Sequence, residues 1–145
     1  LRSVGAKVRL IQDGDIAGVI HTTEKATGID MYMGIGGAPE GVLAAAALRC
    51  IGGQMQTKLV LEDQEKKDRA ARLGITDVDK IYNLDDMVTG DALFAATGVT
   101  NGSILSGIEI NTGIWTHTIV MRSSSKTIRW ITAHHQNIDK FNSQN

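Results

Sequence analysis

Apolar and polar positions divide the chain into short segments of changing period, punctuated by glycine. Leu1 to Ala6 reads as the end of a helix, and Ala6-Lys7-Val8-Arg9-Leu10-Ile11 alternates before turning apolar. Bounded by Gly5 and the Asp13-Gly14-Asp15 turn, the latter run predicts a strand. Ile16 to Thr23 is a short apolar helix with Asp15 placed to cap it. Ile29-Asp30-Met31-Tyr32-Met33 predicts a second strand, leading into the glycine-rich stretch from Gly34 to Gly41. Pro39 to about Ile51 predicts a helix, because four consecutive alanines have high propensity and Gly52-Gly53 stops the segment.

The second half has more strands. Met55 to Leu61 alternates weakly as a strand. Glu62 to Leu73 is a charged helix with acids first and bases later, the order that suits its dipole, and Gly74 closes it. Asn83 to Val88 predicts one helical turn. Leu93 to Thr97, Ile104-Leu105, Thr116 to Arg122 and Thr127 to Thr132 predict strands, the last two joined by Ser123-Ser124-Ser125-Lys126. Alternation of helices and strands indicates an α/β fold. A single unit over residues 1–133 is expected, followed by a polar tail from His134 to Asn145.

Composition narrows the function classes. With 15 Lys+Arg against 16 Asp+Glu, the net charge of −1 carries no electrostatic footprint for nucleic acid or a membrane surface. The lone Cys50 allows no internal disulfide, and a reduced, cytoplasmic setting fits it. No apolar run is long enough to span a bilayer.

The chemistry concentrates around Gly34-Ile35-Gly36-Gly37-Ala38-Pro39-Glu40-Gly41. Glycines allow backbone N–H groups to face an anion, and a helix N-terminus favours negative charge. Pro39 opens a helix without losing a hydrogen bond. Glu40 stands where a carboxylate could hold a divalent cation against a phosphate, or where an acid simply complements the helix dipole. Asp13-Gly14-Asp15 could accept hydrogen bonds from sugar hydroxyls, or could form a turn satisfying its own backbone.

Other chemistries find little support. A dinucleotide fingerprint would need glycine where Pro39 stands, and no Gly-Lys-Ser/Thr makes a phosphate loop. The histidines His21, His117, His134 and His135 have no zinc spacing, with His134 and His135 expected to be solvated in the tail. Cys50 reads as a packing residue, and Ser123 to Ser125 form no nucleophile elbow. Arg122, Lys126 and Arg129 could meet a phosphate or form a solvated strand face.

Taken together, Val8 to Asp15, Gly34 to Leu48 and Gly90 to Thr100 resemble class II fructose-1,6-bisphosphatase, in particular the bifunctional fructose-1,6-/sedoheptulose-1,7-bisphosphatases of photosynthetic bacteria. The similarity extends from residue 1 to about 135 and corresponds to the C-terminal half of that family. It implies the layered α/β/α/β sandwich of the lithium-sensitive phosphatases with a mixed sheet, a homo-tetrameric full-length form, and hydrolysis of a sugar 1-phosphate with Mg2+ or Mn2+. By the same resemblance, Glu40 is the metal ligand, while Asp13, Gly14, Asp15 and Gly37 contact the sugar bisphosphate. The family's remaining metal carboxylates lie upstream of Leu1, so this chain alone is expected to be inactive. Two alternatives stay open: an inositol-phosphate-type phosphatase on the same scaffold, and a non-catalytic regulatory or oligomerisation domain.

Overall fold

The computed structural model describes residues 1–137. Its organising element is α2 (Ala38–Ile51), which packs against α1 (Asp15–His21) on one side and an antiparallel sheet on the other. The alanines make this possible. Ala44, Ala45 and Ala47 are buried on α2, so backbones approach closely while Leu48 and Cys50 fill the space between. One core cluster joins Ile20, Ala47, Cys50, Phe94, Ile119 and Met121 across the helix–sheet boundary. A second holds Val19, Ala44 and Leu48, with Tyr32, Met55 and Leu84 against it.

The sheet is built on β5 (Ile114–Arg122), which buries Ile114, Ile119 and Met121. Along one edge β5 pairs with β6 (Thr127–His135), from Ile114 opposite His135 to Arg122 opposite Thr127. Its other edge carries β3 (Leu93–Thr97) and then β4 (Glu109–Ile110), end to end. Every pairing is antiparallel, as is that of β1 (Gln56–Thr57) with β2 (Tyr82–Asn83). The expected mixed sheet is therefore antiparallel among the described residues. For β5 and β6 a tight connection imposes this: the four-residue turn from Ser123 to Lys126 can only reverse the chain, whereas parallel neighbours need a crossover.

The helices match the sequence pattern more closely than the strands do. Helix α3 (Gln64–Arg72) is capped by Asp63, and α4 (Leu84–Met87) is the single turn expected after Asn83. A 3-10 turn over Arg2–Val4 ends at Gly5 in the left-handed region, as the helix-end reading requires. Asp15, however, does not cap α1. Gly14 occupies that position at φ 77°, and Asp15 is the first helical residue.

Four strand expectations fail. Residues 6–11, 29–33 and 104–105 have no regular secondary structure, and 55–61 contributes only the two residues of β1. Alternation alone cannot make a strand, because a ladder needs a neighbour: β2 supplies one for Gln56–Thr57 only, and no strand pairs with the other three segments among the described residues. Several of their large side chains stay in solvent: Leu10 is 83% exposed, Met31 71% and Met33 66%. Strand β6, by contrast, outruns its predicted end at Thr132, so His134 and His135 belong to the sheet rather than a tail. His134 stacks on Trp115 with ring centroids 4.1 Å apart, and His135 meets the Thr116 hydroxyl at 3.0 Å. The rest of the expected tail, 138–145, lies outside the described residues. No helix among the described residues is long and apolar enough to cross a membrane.

Candidate functional site

Two loops converge at the start of α2. The first is the Asp13-Gly14 turn, whose left-handed glycine swings the chain into α1 and carries Asp15 inward while Asp13 remains exposed. The second is the glycine-rich segment before Ala38. Helix α2 begins with one arm of a capping box: the Gly37 N–H donates to Glu40 Oε2 at 2.9 Å, while the Gly37 carbonyl accepts the first intrahelical bond from Gly41 N–H at 3.1 Å. Glu40 thus performs the ordinary task of a first-turn acid, with one carboxylate oxygen engaged.

Gly36 is where the two loops meet. A Cβ built there would stand 3.1 Å from Asp15 Oδ2 and 3.2 Å from Glu40 Oε2. Two carboxylates from separate elements therefore face one position that carries no side chain. Asp13 does not share in this convergence. Gly37 is similarly open, its would-be Cβ meeting only Glu40 Oε2 at 3.4 Å and Pro39 Cδ at 3.7 Å. The arrangement lies on an open surface. Two cavities, of about 290 and 370 Å³, are elsewhere, the first between α2 and the sheet around Trp130 and the second around Arg49 and Lys126.

A residue that the sequence pattern did not single out completes the group. Tyr32 is half-buried, its ring resting on the Val19–Ala44–Leu48 cluster, with the Asp15 and Glu40 carboxylates near enough for their charge to bear on its hydroxyl. Burial raises the phenol's pKa, and the neighbouring Asp15 and Glu40 carboxylates add to the rise. It is therefore a protonated donor at neutral pH. The available signal was compositional: Tyr32 is one of only two tyrosines, directly before the glycine loop.

The other candidates resolve into structural roles. Cys50 Sγ donates to the Ala92 carbonyl at 3.4 Å, and burial pushes its thiol pKa up, which suits packing rather than reactivity. Ser123 Oγ accepts from the Ala92 N–H at 2.7 Å. Lys126 Nζ donates to the Arg49 carbonyl at 2.7 Å and so caps the end of α2. The Arg122, Lys126 and Arg129 trio is accordingly no assembled phosphate clamp. Among the described residues, no three of His, Cys, Asp and Glu gather closely enough to hold a metal by themselves.

Comparison with known proteins places this geometry in context. Residues 1–135 match the family described as bacterial fructose-1,6-bisphosphatase, glpX-encoded. The chain is 38% identical over 149 aligned positions to the D-fructose 1,6-bisphosphatase class 2/sedoheptulose 1,7-bisphosphatase of Synechocystis sp.. Identity to the protein of the same description in Trichodesmium erythraeum is 40%. Each alignment covers 93% of this chain and 43% of the relative, so the chain spans less than half the length of the curated relatives it matches.

Proposed function

The chain belongs to the glpX-encoded bacterial fructose-1,6-bisphosphatase family, and from that premise we propose that it supplies the sugar-contacting side and one metal ligand of a divalent-metal-dependent sugar bisphosphatase. The reaction is hydrolysis of the 1-phosphate of fructose 1,6-bisphosphate, with sedoheptulose 1,7-bisphosphate as a second substrate. Water oxygen bonds to phosphorus, the bond from phosphorus to the C1 oxygen breaks, and that oxygen leaves with a proton. Turnover is assigned to the longer protein, since this chain covers 43% of its relatives' length. On this reading the helix layer over the antiparallel sheet is part of a lithium-sensitive phosphatase sandwich.

The convergence of Asp15 and Glu40 on Gly36 carries the reading. Carboxylate oxygens are the hard donors that Mg2+ and Mn2+ take. The Gly37 N–H engages Glu40 Oε2, the oxygen that faces Gly36, and a carboxylate oxygen accepting one hydrogen bond keeps a second lone pair for a cation. A bound Mg2+ or Mn2+ would neutralise phosphoryl charge and lower the pKa of a coordinated water. The chain's own groups bind and orient: Asp13 and Asp15 accept hydrogen bonds from sugar hydroxyls. Gly14 sets the turn that presents them, and Gly37 allows substrate to lie close against the start of α2.

Glu40→Gln separates the two tasks of this side chain. Glutamine can serve in a capping box, so the helix start is retained while the charge is lost. In the full-length protein carrying this segment, Mn2+ affinity by calorimetric titration is expected to fall on the order of 10–100-fold. The metal-free thermal midpoint is expected to stay unchanged. Unaltered metal dependence and rate would instead favour a regulatory or oligomerisation domain. The hydrogen bond from Gly37 to Glu40 is the observation that supports that second reading, because it gives Glu40 a purely structural purpose.

A further inference from the structure

We propose that the outer edge of β6 pairs with the same edge of a second copy of this chain, joining two sheets into one across a twofold axis. The strand Thr127–His135 is paired on one side by β5, and no strand occupies its other side among the described residues. Exposed edges of this length are ordinarily blunted by proline, a bulge or several charges. Here the run Thr-Ile-Arg-Trp-Ile-Thr-Ala-His-His holds no proline, no acid and a single arginine, and its register against β5 is unbroken. Its apolar side chains remain partly in water: Trp130 is 55% exposed, Ile128 44% and Ile131 43%. Ile128 and Trp130 lie opposite Met121 and Ile119, on the face that α2 covers over β3 and β5. The core-side surface therefore runs out past the helix onto the edge strand.

The strand is complementary to itself. Full overlap of two antiparallel copies about the strand midpoint sets Ile131 against its own counterpart, Trp130 against Thr132 and Arg129 against Ala133. No two like charges are opposed, and an exposed β-branched pair closes on itself at the axis. On the other face the two Trp130 residues become diagonal neighbours about 7–8 Å apart, within reach of aromatic contact. Main-chain groups along the edge gain partners on both chains at once, because a twofold contact uses the same patch twice. The pairing rests on the stretch from Arg129 to Ala133 and needs nothing from the ends of the strand. An unrelated extended peptide would gain the main-chain bonds alone, whereas a second copy brings matched side chains along the whole overlap.

Cysteine cross-linking and sedimentation of the full-length protein carrying this segment test the pairing. Ile131→Cys puts two thiols on the axis, with Cα atoms about 4.5–5.5 Å apart, a separation that a disulfide spans. Mild oxidation is expected to give a covalent dimer on a non-reducing gel. Thr127→Cys is the control: Thr127 opposes His135 in the overlap, so its two copies lie about 27 Å apart and no dimer is expected. Ile131→Lys sets like charges directly opposite each other, and the association constant is expected to fall about tenfold or more, halving the mass in dilute solution. Ile131 is exposed on the outer face, so the circular dichroism spectrum is expected to stay unchanged. Should Ile131→Lys fail to fold, the two cysteine variants decide alone. A folded Ile131→Cys protein that forms no cross-link, as when another segment of the longer protein covers β6, would overturn the proposal. Equal cross-linking at Thr127, or an unaltered mass for folded Ile131→Lys, would do the same.

Discussion

A methyl group at position 36 would lie closer to Asp15 and Glu40 than nearly all real side-chain contacts allow. The Asp15 carboxylate can turn aside, whereas Glu40 Oε2 does so only by stretching its hydrogen bond from the Gly37 N–H. Gly36→Ala is therefore expected to cost no more than about 1 kcal/mol of stability, yet to push the two carboxylates apart. In the full-length protein, Mn2+ affinity should drop at least several-fold, read by calorimetry beside a denaturation midpoint that shifts only slightly. Parent-like affinity would mean that the two oxygens do not act on a shared ligand. At this scale the sequence was only partly legible. Glycine spacing marked the loop, and Glu40 stood out by its place after Pro39. That Asp15 turns inward while Asp13 stays in solvent depends on the left-handed Gly14, which residue type alone does not disclose. Tyr32 was invisible for a related reason: its ring lies against Gly18 and Gly34, which have no side chains to mark the contact.

Helix α3 shows how one element couples to pH. Asp63 Oδ1 accepts from the Lys66 N–H at 2.8 Å, and Lys66 Nζ in turn lies 3.0 Å from Glu62 Oε2. The amide bond, aided by the Lys66 charge, holds the Asp63 carboxyl below its ordinary value of 3.8. A lowered folded-state pKa means that the cap's contribution is present above pH 3.8 and is lost as pH falls through the lower folded value. Amide exchange at Lys66 should accordingly accelerate in acid beyond its intrinsic trend, and Asp63→Ala should abolish that extra dependence. The same element was well marked in the sequence, since an ordered run of acids and bases between Asp63 and Gly74 needs no tertiary partner to be recognised. Strand β3 was equally clear, its predicted bounds of Leu93 and Thr97 matching those observed. Residues 6–11 and 29–33 were not, because alternation records which faces differ and says nothing about whether a second strand is beside them.

At the level of the whole molecule, the helix layer and the sheet are held by a small number of fully enclosed side chains. Met121, with no exposed surface, projects from β5 into the cluster shared with Ala47, Cys50 and Phe94. Truncation to alanine should cost about 2–5 kcal/mol of unfolding free energy, measurable by urea denaturation, and should loosen α2 from the sheet. A loss below about 1 kcal/mol would show that the neighbours collapse into the gap. Around this core, the irregular stretches hold Leu10, Met31, Met33 and Ile35 largely in water. Apolar side chains left in water in this way are expected to make the polypeptide self-adhesive as its concentration rises.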